Sequence, residues 1–144
     1  MENDCIFCKI IAGDIPSCKV YEDDNFLAFM DINPAVRGHT LVIPKHHCRN
    51  LLDTPDNVGA GFYPVLKKVS LSVKAAFRAE GIYMFQQNEP ASGQEVFHSH
   101  VHIIPRYKND DFGKHNPPRL KVEISEIAKD AESIKKIYKT ICFA

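Results

Sequence analysis

The chain of 144 residues is long enough to bury a core without cross-links, and its 18 basic and 18 acidic side chains leave no net charge. That balance excludes a polyelectrolyte surface for nucleic acid, whose affinity would come from many lysines and arginines. No run approaches the roughly 18 apolar residues of a membrane span, the N-terminal stretch lacks the apolar segment of a signal peptide, and five irregularly spaced cysteines suit reduced thiols or a metal, so a cytoplasmic protein is expected.

Asp4 is placed to cap a short helix from Cys5 to Ala12, which Gly13 ends in the left-handed conformation. Within it Cys5 and Cys8 stand one turn apart on one face, the spacing of half a tetrahedral zinc site and equally of two buried thiols. Lys19 to Glu22, Phe26 to Ile32 and Thr40 to Pro44 then read as short strands, with turns at Asp23-Asp24-Asn25 and Asn33 to Gly38. Val58, Phe62, Val65, Leu66, Val69, Val73, Ala76 and Phe77 recur at helical spacing and predict a long amphipathic helix whose stripe is core. Pro64 should lie near its first turns or kink it. A fourth strand, Ile82 to Gln87, and a fifth, Val96 to Pro105, complete an antiparallel sheet of about five strands. After a looped stretch from Lys108 to Pro118, Ser125 to Ile141 is expected to be a final helix with Ile127, Ile134, Ile137 and Ile141 on one face. The class is α+β, and no repeat, low-complexity tract or linker divides residues 1–144.

The fifth strand carries the chemistry. In Phe97-His98-Ser99-His100-Val101-His102-Ile103-Ile104-Pro105 the β-branched residues favour an extended backbone, which would point three imidazoles the same way. Adjacent ones, roughly 6.6 Å apart, can converge on one phosphate as nucleophile and donor, whereas the outer two, roughly 13 Å apart, cannot grip one ion. A neutral imidazole keeps a lone pair near pH 7 and can act as nucleophile, acid, base or ligand.

Together with Gly38-His39-Thr40-Leu41-Val42-Ile43-Pro44-Lys45 and Cys5-Ile6-Phe7-Cys8-Lys9-Ile10-Ile11, the alternating histidines resemble the histidine-triad (HIT) superfamily, and its nucleotide-hydrolysing bacterial members most. The resemblance covers about residues 5 to 107 and leaves 108–144 as a C-terminal extension. It implies a HIT-like fold with a long central helix, and a nucleotide hydrolase of the phosphoramidase, AMP-releasing type acting on AMP or GMP derivatives. His100 would attack the α-phosphorus and form a nucleotidyl-histidine that water cleaves, next to His98. His102 would donate to a phosphate oxygen, and His39 would orient or polarise His100.

By the same resemblance the base would lie among Ile6, Phe7, Ile10, Phe29 and Ile32, with Asp31 accepting from the ribose. Asn88, Gln94 and the Val96 backbone would line the phosphates. Cys5, Cys8, His47 and His98 would hold a structural zinc that the phosphorus chemistry does not need, with His46 competing for the place of His47. Homodimers through the long helix and a sheet edge are expected. One position departs: many phosphoramidate-hydrolysing relatives carry serine where this chain has Glu95, and an ionised carboxylate repels phosphate. Dinucleoside polyphosphate hydrolysis therefore stays open, as does a nucleotide-binding zinc protein with little turnover. A galactose-1-phosphate uridylyltransferase-like role is disfavoured by His102, because that branch carries glutamine there.

Overall fold

The structure, a computed structural model, describes residues 4–110, 112 and 119–142. Ten segments appear in chain order: α1 (Ile6–Ala12), β1 (Lys19–Glu22), β2 (Phe26–Met30), β3 (Thr40–Pro44), a 3-10 turn (Leu51–Asp53), α2 (Asp56–Ala76), β4 (Gly81–Phe85), a second 3-10 turn (Pro90–Ser92), β5 (Val101–Arg106) and α3 (Ile124–Cys142). The strands form one antiparallel sheet in the order β1-β2-β3-β5-β4, so the last strand in sequence lies between β3 and β4.

Strand alternation sorts the core into two layers. Ala28, Met30, Val42, Val101 and Ile103 pack under Val65, Leu66, Val69 and Val73 of α2 and under Ile127, Ala131 and Ile134 of α3. Leu27, Phe29, Leu41 and Ile43 point to the other face and meet Phe7 and Ile10 of α1. His102 pairs with Leu41 in register and shares this second face. The helical stripe of α2 is core as expected, with Pro64 at the ninth helical position and on the exposed side.

Several ends differ from the sequence expectation, each for a local reason. Cys5 occupies the N-cap of α1 and no side chain caps it, so Asp4 lies one residue too early. Gly13 does close the helix with φ 88°, its N–H donating to Ile10 O. β2 ends at Met30 because the Asp31 carboxylate accepts from Asn33 N at 2.8 Å and turns the chain. β4 ends at Phe85, not Gln87. β5 starts at Val101, not Val96, because residues 96–98 bend and Ser99 N donates to Cys48 O at 2.7 Å. On α3, Ile141 is exposed rather than core. Most of the expected loop end, residues 111 and 113–118, lies outside the described residues.

The turn between β2 and β3 is held from behind by the C-terminal region. Arg37 makes a two-pronged ion pair with Asp130 of α3, Nε and Nη2 each 2.6 Å from a carboxylate oxygen. Leu120 N donates to Pro34 O at 2.8 Å. Gly38 closes the turn at φ +87°, where a Cβ would stand 2.8 Å from the Phe77 ring. Gly38→Ala is expected to cost about 2 kcal/mol in urea denaturation through left-handed strain plus this clash. An unchanged midpoint would show that the turn relaxes freely.

Candidate active site and metal centre

β3 and β5 lie side by side and antiparallel, and these strands with the segments leading into them carry four histidines. His39, His98, His100 and His102 are all buried. Their hydrogen bonds fix which ring nitrogen carries each proton, because a carbonyl can only accept and a backbone N–H can only donate.

His100 Nδ1 donates to the His98 carbonyl at 2.6 Å, which leaves Nε2 with its lone pair. Phe7 packs edge-on against this ring at 5.3 Å, and the His102 ring lies 5.0 Å away. His39 Nδ1 accepts from Ala35 N at 3.1 Å, so its proton sits on Nε2 and is donated to His102 Nδ1 at 2.8 Å. His102 therefore carries its own proton on Nε2. Phe85, paired with His102 across β4 and β5, stacks on it at 4.3 Å with the planes 5° apart. The result is one imidazole offering a lone pair beside another offering a proton.

The expected partner of His39 was His100; the contact is with His102 instead. His39 precedes β3 on the face of Leu41, and the ladder sets Leu41 opposite His102. His98 also separates from its two neighbours, since the bend at 96–98 turns it toward α1.

Burial pushes the pKa values of His39, His98, His100 and His102 below the ordinary histidine value. His39 and His102 are buried together as a neutral, hydrogen-bonded pair. Unfolded imidazoles take up protons as pH falls through about 6.5 while the folded ones stay neutral, so stability is full above that value and declines below it. Each withdraws up to about 1.4 kcal/mol per pH unit until the folded rings protonate. Urea midpoints should therefore fall steadily from pH 7.5 to 5; a flat profile would contradict the buried neutral pair.

The second constellation is built on α1. Cys8 Sγ lies 3.2 Å from His47 Nδ1 and 3.5 Å from His98 Nδ1, and Cys5 Sγ lies 3.5 Å from His98 Nδ1. All four ligand atoms fall within 4.8 Å of one another. Tetrahedral zinc with two sulfur and two nitrogen ligands has edges of about 3.5 Å. His98 Nε2 donates to Pro44 O at 2.8 Å, so its Nδ1 lone pair faces the sulfurs, as a ligand's must. The residues fit a closed Cys2His2 site, and His47 takes the place for which His46, exposed, competed.

The remaining expected residues divide. Phe7, Ile10 and Phe29 form a buried apolar floor, flanked by Ile6 and Ile32 at 45% and 59% exposure. Asp31 stands at the rim, its Oδ2 3.5 Å from His39 Nδ1. Gln94 does not line an open surface. Its Nε2 donates to Arg49 O and Val96 O, and its Oε1 accepts from Asn50 Nδ2 and Glu89 N. Four bonds exhaust its amide, so it ties the loop around 94 to the loop around 50. Asn88 Oδ1 accepts from Leu51 N in the same knot, while Glu95 is exposed.

Sequence reasoning missed Phe85 and Arg119. Only strand register puts Phe85 beside His102, and Arg119 reaches the site from beyond β5. Arg119 Nη1 donates to Asn33 O at 2.9 Å and approaches Asp31 Oδ2 at 3.3 Å.

The HIT domain family profile matches residues 12–109. The chain is 49% identical over 110 residues to a Bacillus subtilis protein named hit, covering 76% of each. It is 42% identical over 110 residues to an Arabidopsis thaliana protein named adenylylsulfatase HINT3, covering 76% of this chain and 56% of that one. A zinc-bound histidine triad family protein from Mycobacterium smegmatis superimposes with a TM-score of 0.87 at 32% identity, covering 99% of both chains.

Proposed function

The chain belongs to the HIT domain family, and from that premise we propose that it is a single-domain nucleotide hydrolase, cleaving at the α-phosphate through a covalent nucleotidyl-histidine. The observation that carries this reading is the His100 tautomer. Its Nδ1 proton is committed to the His98 carbonyl, so Nε2 is a neutral nucleophile next to a proton donor.

The chemistry follows with atoms in balance. His100 Nε2 forms a bond to the α-phosphorus as the bond to the leaving group breaks; the leaving group departs with that electron pair and takes its proton from solvent, while the His102 Nε2–H donates a hydrogen bond to the departing atom. His39 steadies His102 by donating to its Nδ1. In the second half, water attacks phosphorus and gives up its proton to solvent, and the P–N bond breaks with its electron pair returning to His100 Nε2, releasing the nucleoside monophosphate. His39 is thus a positioning residue for the donor. The purine would rest on Phe7, Ile10 and Phe29 between Ile6 and Ile32, with the ribose on Asp31.

Zinc on Cys5, Cys8, His47 and His98 is the metal that this donor set and the zinc-bound relative support. When bound, it supplies a structural tie between α1 and the strand approach at His98. The protein is read as cytoplasmic, and no described helix is long and apolar enough to cross a membrane. Homodimerisation is supported by a groove of about 310 Å3 between α2 and edge strand β4, which includes Tyr63, Leu71, Ile82 and Met84.

The leaving group is the finer question. The adenylylsulfatase relative makes sulfate a third choice beside an amine and a nucleotide. Adenosine 5′-phosphoramidate, diadenosine tetraphosphate and adenylyl sulfate supplied side by side, with AMP release followed, should give turnover of at least one. Exposed Glu95 favours the cationic amine over the polyphosphate. Tight AMP binding with no turnover of any would support a binding protein instead.

A further inference from the structure

Arg119 lies outside the stretch matched by the family profile, yet its guanidinium sits at the rim of the site. Its well-formed bond is to the Asn33 carbonyl at 2.9 Å, and Leu120 N, next in the chain, donates to Pro34 O at 2.8 Å. Two consecutive residues thus clasp the turn that carries Asp31. The approach of Nη1 to Asp31 Oδ2 is looser, at 3.3 Å. Asp31 Oδ1 is committed to Asn33 N, and Oδ2 lies between the Arg119 guanidinium at 3.3 Å and His39 Nδ1 at 3.5 Å.

The guanidinium has five N–H donors, and only Nη1 makes a hydrogen bond among the described residues. Its side chain is 53% exposed while that of Asp31 is 12% exposed. The carboxylate is therefore largely enclosed and the cation beside it largely exposed, with donors to spare for a ligand. With Nη1 only 3.3 Å from Oδ2, a hydroxyl seated about 2.7 Å from Oδ2 on the guanidinium side is also within hydrogen-bond reach of Arg119.

A vicinal diol both donates and accepts. A carboxylate alone serves only the donated protons, whereas a carboxylate with a guanidinium beside it serves both. We propose that Arg119 is a specificity-determining residue that reads the ribose: Asp31 accepts from the two hydroxyls, Arg119 donates to their oxygens, and the site selects a ribonucleotide over its 2′-deoxy counterpart. This rests on the reading of Asp31 as the ribose carboxylate.

Calorimetric titration of the full chain and of Arg119→Ala and Arg119→Lys with AMP and with 2′-deoxy-AMP tests it without depending on turnover. Wild type should bind AMP about tenfold more tightly than the deoxynucleotide. Arg119→Ala should reduce that ratio to about twofold. Arg119→Lys, which keeps the charge and loses the planar fork, should fall between. A ratio unchanged in Arg119→Ala, or tighter binding of both nucleotides as expected of a plug removed from Asp31, would overturn the proposal and leave the hydrolase reading intact. Absence of AMP binding in wild type would bring down both.

Discussion

His100→Ala is expected to abolish any AMP adduct detectable by intact mass after single-turnover mixing, and to lower turnover by about 10⁴-fold or more. The ring's Nδ1 proton is held by a carbonyl, its Nε2 is bare, and burial keeps it neutral below the usual histidine range. No neighbour can take over the attack. His98 has one nitrogen on Pro44 O and the other on the cysteines, and His39 has one under Ala35 N and the other on His102. His102 alone has a nitrogen facing the same space, but it carries a proton. His102→Ala should accordingly behave differently: the adduct still forms from a substrate whose leaving group needs no proton, and slows most for an amine. Wild-type activity in His100→Ala would sink the covalent mechanism.

Cys8→Ser should strip about one equivalent of zinc and lower the melting temperature by about 10 °C. A metal tie is worth a few kcal/mol in a domain that already has its own core, and each kcal/mol moves the melting temperature by about 3 °C in a chain of this size. Nucleotide affinity should fall with it. Cys8 shares α1 with Phe7 and Ile10, and Phe7 touches both His98 and His100. Loosening one end of a seven-residue helix therefore unsettles the floor under the base. Elemental analysis and a thermal scan read the first two effects. Zinc-free wild-type protein melting at the same temperature as zinc-loaded wild type would remove the metal from the account.

Periodicity and punctuation carry much of this fold. The α2 stripe, the Gly13 stop and the alternation in β3 and β5 are local properties, and the triad with its upstream partners points to the family and hence to sheet topology. What was not legible depended on which groups meet across the sheet. Spacing puts His98, His100 and His102 on one face, but only the Ser99–Cys48 backbone bond shows that the first of them is bent away to the cysteines. His39 is 63 positions from its partner, so register and not proximity in sequence decides between His100 and His102. Gln94 reads as a free loop amide until its four partners are seen, each from a different residue. The choice of His47 over His46 is a matter of which way one side chain leaves the end of β3.

The order of strands in the sheet has a bearing on how the protein is made. β5 is the last strand to be synthesised and the one inserted between β3 and β4. Cys5 and His98, which meet across the cluster, are 93 positions apart, and His100, the proposed nucleophile, follows two residues later. A nascent chain thus carries the two thiols of the cluster and the floor of the proposed nucleotide pocket long before the proposed nucleophile. The non-local pairings that complete the sheet are slow steps in folding. Under the proposed mechanism, a chain cut short before His98 has the two thiols of the cluster but none of the triad histidines.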